Sequence, residues 1–421
     1  MKPHRLRHAL GPGLLMAGAA VGVSHLVQST RAGAEYGLAL LALVLVACIL
    51  KFPFLEFGPR YAAATGESLV RGYYRMGRWA LAIFVLVTLG TMFIIQASVT
   101  IVAAGLAGLV FDLDWSITLL SAAVLAGCIA VLAIGRYRGL DLIMKIIMAA
   151  LAVSTLAAVA LAFGSEPDLA GLNPARGWEA AWTATGFAFV LALLGWMPIP
   201  LDVAAWHSLW TLERARQTGH APGVRHSLTD FHIGYFGATL LAALFLLLGA
   251  LVMFGSGEAF PGSAVAFSGS LVNLYAVTLG EWSRPIIAVA ALTTMFSTTL
   301  AVTDAYPRVV RAVLELRYPA GTDVPATPAH RLSYVVSLLL VTGGALIIIH
   351  FFGHRFTALI DFATTVSFLA APALAWLNLR LLTGPHTPPE HRPGPFLRRL
   401  AWTGFWFLVI FSVIWIGWRL G

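Results

Sequence analysis

An all-α, polytopic membrane protein is the fold class the sequence predicts, and three observations predict it. Of 421 residues, 59% are hydrophobic and only 11% are charged, and the mean hydropathy is +0.84. The apolar residues gather into runs close to the roughly 20 that cross a bilayer as a helix. The basic residues, finally, fall in alternate connecting segments, as they do where topology is set by Lys and Arg.

Eleven spans are expected, with boundaries good to a few residues. The first, 11–30, reads GPGLLMAGAAVGVSHLVQST and is interrupted by Gly22. The second, 34–57, ends on Lys51 and Glu56, and the third, 79–110, carries no acidic residue, its polar groups being Thr91, Gln96, Ser98 and Thr100. The fourth covers 115–134, and the fifth, 140–163, carries Asp141 and Lys145 at i,i+4, a spacing that permits a helix ion pair. The sixth, 180–210, is interrupted at GWMPIP, Gly195 to Pro200, and the seventh covers 230–255. The eighth, 283–312, contains TTMFSTTLAVTDAYPR, the ninth covers 332–352, the tenth, 356–382, carries Asp361, and the eleventh covers 399–419.

With the N-terminus inside, 20 of the 27 Lys and Arg lie in cytoplasmic segments and five, Arg31, Arg176, Arg284, Arg355 and Arg419, on the other side. The net charge of +8 is therefore explained by topology and not by nucleic acid. A bacterial inner membrane suits this bias, with the C-terminus outside. The basic start followed by an apolar run has no small-residue cleavage site and reads as a retained first helix. Cys48 and Cys128 both fall in apolar helix, too few for a disulfide framework or a zinc site.

The whole of 1–421 reads as one transmembrane domain. Spans one to five, 11–163, and spans six to ten, 180–382, each open on a broken helix, and 399–419 is an added helix. Five helices per unit force the second unit to insert upside down, which is an inverted repeat. Within a bilayer, backbone that leaves the helix is tolerated only where it is buried in protein or lines a cavity. Two breaks at matching positions point to a midplane site for a small solute or ion.

At these residues the chain resembles the Nramp family of proton-coupled divalent-metal transporters. GPGLLM at Gly11 to Met16 is similar to the start of the family's first helix, RAGAEYGL at Arg31 to Leu38 to its exit, and Met197-Pro198 to the start of its Met-Pro-His motif. The resemblance implies a leucine-transporter-like fold and alternating access. The family's Asp-Pro-Gly-Asn motif falls on Gly22, Val23, Ser24 and His25, so the metal-binding carboxylate is absent and His25 stands at the Asn position. Met197 is retained, the motif His is Ile199, and a His-Ser pair follows three residues late as His207-Ser208. The acidic residues of the family's third helix are missing too.

The substrate-site candidates are Gly22, Val23, Ser24, His25, Gly195, Trp196, Met197 and Asp202, with His25 and Met197 as metal ligands. A soft divalent cation using imidazole and thioether is the first reading. A small anion such as bicarbonate, held by amides at the two breaks, is the alternative. The resemblance to this fold also implies a possible sodium site from eighth-helix hydroxyls, here Ser297, Thr298 and Thr299, against carbonyls of the first helix. Asp304 and Asp361 are the other coupling candidates, as carboxylates or as partners of an arginine in a closed state. The coupling ion is proton or sodium, and no cofactor is expected. The partners are a small inorganic ion and the bilayer. A membrane enzyme finds no HExxH or GxSxG, and ATP drive finds no GxxxxGK loop. A receptor on a transporter-like domain remains a third class, since fold does not fix function.

Overall fold

The computed structural model describes residues 11–134, 137–164, 172–221, 223–257, 260–317 and 328–420. Lys2, Arg5, Arg7 and Arg136 lie outside them, as do the side chains of Arg138, Arg331 and the expected Asp141 and Lys145 pair. In chain order the helices are α1 Pro12–Ala20, α2 Val23–Ser29, α3 Thr30–Tyr36, α4 Leu41–Thr65, α5 Leu69–Met76 and α6 Arg78–Phe111. They continue as α7 Ile117–Ile134, α8 Tyr137–Gly164, α9 Pro174–Ala181, α10 Ala184–Gly195, α11 Val203–Thr218 and α12 Val224–Val252. The last are α13 Ala264–Leu279, α14 Ser283–Leu314, α15 Pro328–Phe352, α16 Phe356–Thr383 and α17 Pro395–Leu420. No strand occurs among the described residues.

Eight of these helices are long and apolar enough to cross a membrane alone, and a ninth arises if the pair α9 and α10, bent by 103°, is one span. The expected count of eleven is not reached by length and composition. The first and sixth spans are cut by their breaks into pieces too short to cross singly, and in α8 the described apolar stretch is only Ala149–Gly164. The remaining boundaries lie close to expectation, as in α6, α14 and α16.

Contacts sort the connecting segments into two ends. At one end the Gly11 amide donates to Asp230 Oδ1 (3.2 Å), the Leu69 amide to Ser208 Oγ (3.0 Å), and Arg71 Nη2 to the Glu315 carbonyl (3.3 Å). Arg60 reaches the His391 carbonyl there as well (3.4 Å). At the other end Gly177 packs on Tyr36, Gly105 on Ala264, and Phe267 on Phe356. Segments expected on one side of a membrane therefore meet at one end of the protein.

Helix α13 is a correction. The sequence reading placed nothing between spans seven and eight, yet 16 residues there form a helix seated on the outer parts of α6, α8 and α14. Tyr275 Oη lies 2.8 Å from Thr155 Oγ1, and Asn273 accepts from Arg284 at 2.9 Å. Its Ser, Asn and Gly residues broke up the apolar run that a span search requires. The core packs by close backbone approach: a Cβ on Gly33 would come within 1.9 Å of the Leu246 carbonyl, and one on Gly249 within 2.2 Å of the Thr30 carbonyl. Small residues thus seat the first span directly on α12.

Candidate functional site

The first break opens at Val21. Its ψ of 62° ends α1, and Gly22 at φ −133°, ψ −127° redirects the chain before α2 begins. Residues Val23–Ser29 wind as a π-helix, with the Thr30 amide reaching back to the His25 carbonyl and Ser29 Oγ to that of Ser24 (3.2 Å). π-Helical turns are rare and concentrate at functional sites. Gly22 is required sterically: a Cβ there would stand 2.8 Å from both Cγ2 and Oγ1 of Thr298. Thr298 Oγ1 in turn donates to the Gly18 carbonyl at 2.9 Å, so α14 is fastened to the end of α1 beside the break.

The second break runs from Trp196 to Asp202. Pro198 and Pro200 lack the N–H that a continuing helix needs, and the Met197–Pro198 peptide is cis. Gly195 lies against α16, where a Cβ would come within 2.0 Å of the Thr364 carbonyl. Trp196 Nε1 donates to Ser367 Oγ at 2.8 Å, a second link to the same helix. The carbonyls freed at the end of α10 are taken by Lys51, whose Nζ lies 3.2 Å from that of Leu194 and 3.0 Å from that of Gly195.

The two breaks share one cavity. Ala19, Val23 and Ser24 contribute from the first, and Trp196, Ile199, Pro200, Val203 and Trp206 from the second. Ile95 and Val99 of α6 and Thr298 and Val302 of α14 complete the wall. The space open to water centres is about 20 Å³, which admits one or two waters or a small ion stripped of most of its hydration. Among the described residues the only hydroxyls on the wall are those of Ser24 and Thr298, and no carboxylate or imidazole lines it.

The structure brings some expected site residues together and separates others. Val23, Ser24 and Trp196 line the cavity, and Gly22 packs against Thr298 of its wall. His25 does not: it is fully buried and turned to α12, with Nε2 2.8 Å from the Ala238 carbonyl. Because that carbonyl only accepts, Nε2 carries a proton, while Nδ1 lies 2.9 Å from Ser24 Oγ, whose own hydrogen goes to the Ala20 carbonyl at 2.7 Å. Met197 is also fully buried outside the cavity wall, its sulfur 3.6 Å from Ser29 Oγ. Among the described residues no group of three or more His, Cys, Asp and Glu is placed to hold a metal ion.

Asp202 lies at the start of α11, where Oδ2 accepts from Tyr306 Oη (3.2 Å) and Oδ1 is buried without a hydrogen-bond partner. His207 is likewise buried with both ring nitrogens unpartnered, its ring 5.7 Å from that of Phe231. Of the three eighth-span hydroxyl residues only Thr298 reaches the cavity. Thr299 bonds to the carbonyls of Met295 (2.8 Å) and Val99 (3.2 Å). Asp304 is paired with Arg308 and Tyr334 (2.5 and 2.8 Å). Asp361 takes Arg31 and Gln28, at 2.8 and 3.0 Å. Glu56 pairs with Arg60 and His232, and Lys51 stands apart from them.

Sequence reasoning missed Ala19, Ile95, Val99, Val203, Trp206 and Val302 as wall residues, because apolar positions on a buried helix look alike whichever cavity they face. It placed Lys51 with Glu56 at the end of the second span. The signal against that was its place between Leu50 and Phe52 in an unbroken apolar run.

A comparison with protein families matches residues 13–417 to the natural resistance-associated macrophage protein-like (Nramp) model. The uncharacterized protein PM0681 of Pasteurella multocida (strain Pm70) is 35% identical over 415 residues, covering 98% of this chain and 93% of that protein. Among solved structures, a mutant of the Eremococcus coleocola manganese transporter superposes with a TM-score of 0.73 at 18% identity, covering 97% of this chain and 86% of that one. MhsT in complex with L-phenylalanine gives 0.62 at 14% identity, over 95% and 98% of the two chains. These likenesses establish the all-helical, leucine-transporter-like fold, and the family match establishes an integral membrane transporter, not an enzyme. The chain belongs to the Nramp family.

Proposed function

We propose that this protein moves a small inorganic ion across a membrane by alternating access at the cavity where its two breaks meet. The observation that carries this reading is the shared wall itself: Ser24 and Val23 from one broken span face Trp196 and Ile199 from the other. Irregular backbone of this kind is tolerated at membrane depth only where it is buried or serves a cavity. The units 11–163 and 180–382 would then form the inverted repeat, with 399–419 appended. Rocking of the first and sixth spans against the scaffold would open the cavity to each end in turn. A bacterial inner membrane with the N-terminus inside remains the preferred setting.

A divalent metal is the first reading of the substrate, supported by family membership and by the fold shared with a manganese transporter. In that case backbone carbonyls, Ser24 and Thr298 would have to supply the ligands, with His25 or Met197 swinging in. A second reading, a small anion such as bicarbonate, is favoured by the wall, which holds no carboxylate to repel a negative charge. The helical segments starting at Val23 and Val203 also begin beside the cavity and present their positive poles there.

Coupling to sodium draws support from the meeting of the Thr298 hydroxyl with the Gly18 carbonyl. Coupling to protons would have to avoid α6, whose buried polar groups are neutral, with Gln96 bonded to Thr100 (3.1 Å) and Thr303 (3.0 Å). Uptake by proteoliposomes of manganese, cadmium and magnesium, set beside bicarbonate-driven change of internal pH, tests the reading. Flux of one class identifies the substrate, and no flux of either class under any gradient refutes transport of a small inorganic ion.

A further inference from the structure

We propose that Lys51 is a tethered cation, standing at the carbonyl end of the broken sixth span where a diffusible ion would otherwise bind. The residue is 1% exposed in the middle of α4, and its Nζ donates to the last carbonyls of α10, those of Leu194 and Gly195. Those carbonyls lose their helical donors because the chain turns away at Trp196. They also sit at the negative pole of a 12-residue helix. Freed carbonyls at such half-helix ends are the groups that hold coupling cations in broken-helix transporters. Here an ammonium holds both.

Its charge is not cancelled by an ion pair. Both hydrogen bonds of Nζ are to carbonyls, and Asp202 accepts at Oδ2 from Tyr306 instead. Burying an ammonium is costly unless something compensates it, and backbone dipoles provide that compensation. A neutral donor would have sufficed to satisfy a carbonyl: the Asn378 amide does this for Phe54 in the same helix, at 3.1 Å. An ammonium has three donors, so one remains beyond the two carbonyls, one residue from the cavity wall at Trp196. The occupancy holds whichever ion is transported. Its functional consequence, that no sodium or other free cation is coupled at this end, rests on the reading of the breaks as the transport site.

The test uses the full chain in detergent, with thermal unfolding followed in choline, sodium and methylammonium chloride for wild type, Lys51→Ala and Lys51→Gln. Lys51→Ala is expected to melt several degrees below wild type in choline and to recover saturably with methylammonium, as a ligand that binds only the folded state stabilises it. Wild type and Lys51→Gln, whose carbonyls are already covered, are expected to show no such gain. A folded Lys51→Ala that gains nothing from any cation overturns the proposal. If Lys51→Ala is recovered only when purified in methylammonium, that is the same rescue. If it is never recovered, Lys51→Gln decides: wild-type stability and wild-type flux would show that hydrogen bonds suffice without the charge and overturn the proposal, whereas a folded Lys51→Gln with flux reduced tenfold or more supports it. Wild-type flux measured alongside keeps the two readings apart, because its absence defeats the transport reading and leaves the rescue of Lys51→Ala unaffected.

Discussion

Arg31 and Asp361 tie the second half of the first span to the tenth: Nη1 lies 2.8 Å from Oδ1, and the guanidinium stands 4.7 Å from the Phe189 ring centroid of α10. Gln28 donates to the same carboxylate and accepts from the same arginine, at 3.0 Å each. Three spans at this end are thereby held by one side chain, buried except for 9% of its surface.

Asp361→Ala should loosen that end. Hydrogen bonds to charged groups contribute about 1.5–3 kcal/mol, and the lower figure applies because the Asp361 side chain is 32% exposed. A cysteine placed at Val23, with Cys48 and Cys128 replaced by alanine, should react with an impermeant thiol reagent about tenfold faster when Asp361 is removed, as about 1.4 kcal/mol implies. Equal rates would show that the pair does not control access.

Gly22→Asp restores the family's carboxylate and should not restore a metal site by itself. Its Cβ would stand 2.8 Å from two atoms of Thr298, and such overpacking costs about 1–3 kcal/mol. Thermal unfolding should show the loss for Gly22→Asp and its recovery in Gly22→Asp with Thr298→Gly. Wild-type stability in the single variant would mean that the approach of α14 to the break is not tight.

His25→Ala should damage stability more than selectivity. It removes the bond from Nε2 to the Ala238 carbonyl, about 0.5–1.5 kcal/mol, together with the packing of a fully buried ring. The ratio of fluxes for two competing ions should stay within twofold of wild type. A changed ratio in a stable variant would return His25 to the cavity as a ligand.

How far the sequence revealed these features depended on the kind of signal each one carries. Both breaks were legible because Gly22 and the Met197 to Pro200 run are helix breakers inside apolar runs, and the structure begins the following helices at Val23 and Val203, within two residues of expectation. Asp361 as an arginine's partner was legible as a charge that must be compensated at membrane depth. The direction of His25 was not. The residue was placed at the site by the break and by the family's motif position, whereas the ring turns to the Ala238 carbonyl of α12, a backbone acceptor that no sequence pattern marks. Helix α13 was hidden by its own Ser268, Ser270 and Asn273, which pack against neighbours at one end and need no lipid-facing run. Lys51 could be located but not assigned, because its acceptors, Leu194 and Gly195, lie more than 140 residues away and are backbone atoms that no sequence pattern marks.

The most direct test of the central claim fills the shared cavity. Val23→Phe adds a ring to a space of about 20 Å³ between the two breaks. Ion uptake into proteoliposomes should fall at least tenfold, for whichever ion the wild type carries, in protein whose unfolding temperature remains within a few degrees of wild type. Undiminished uptake by a folded Val23→Phe would contradict the account, because the ion would then pass without entering the junction of the two breaks.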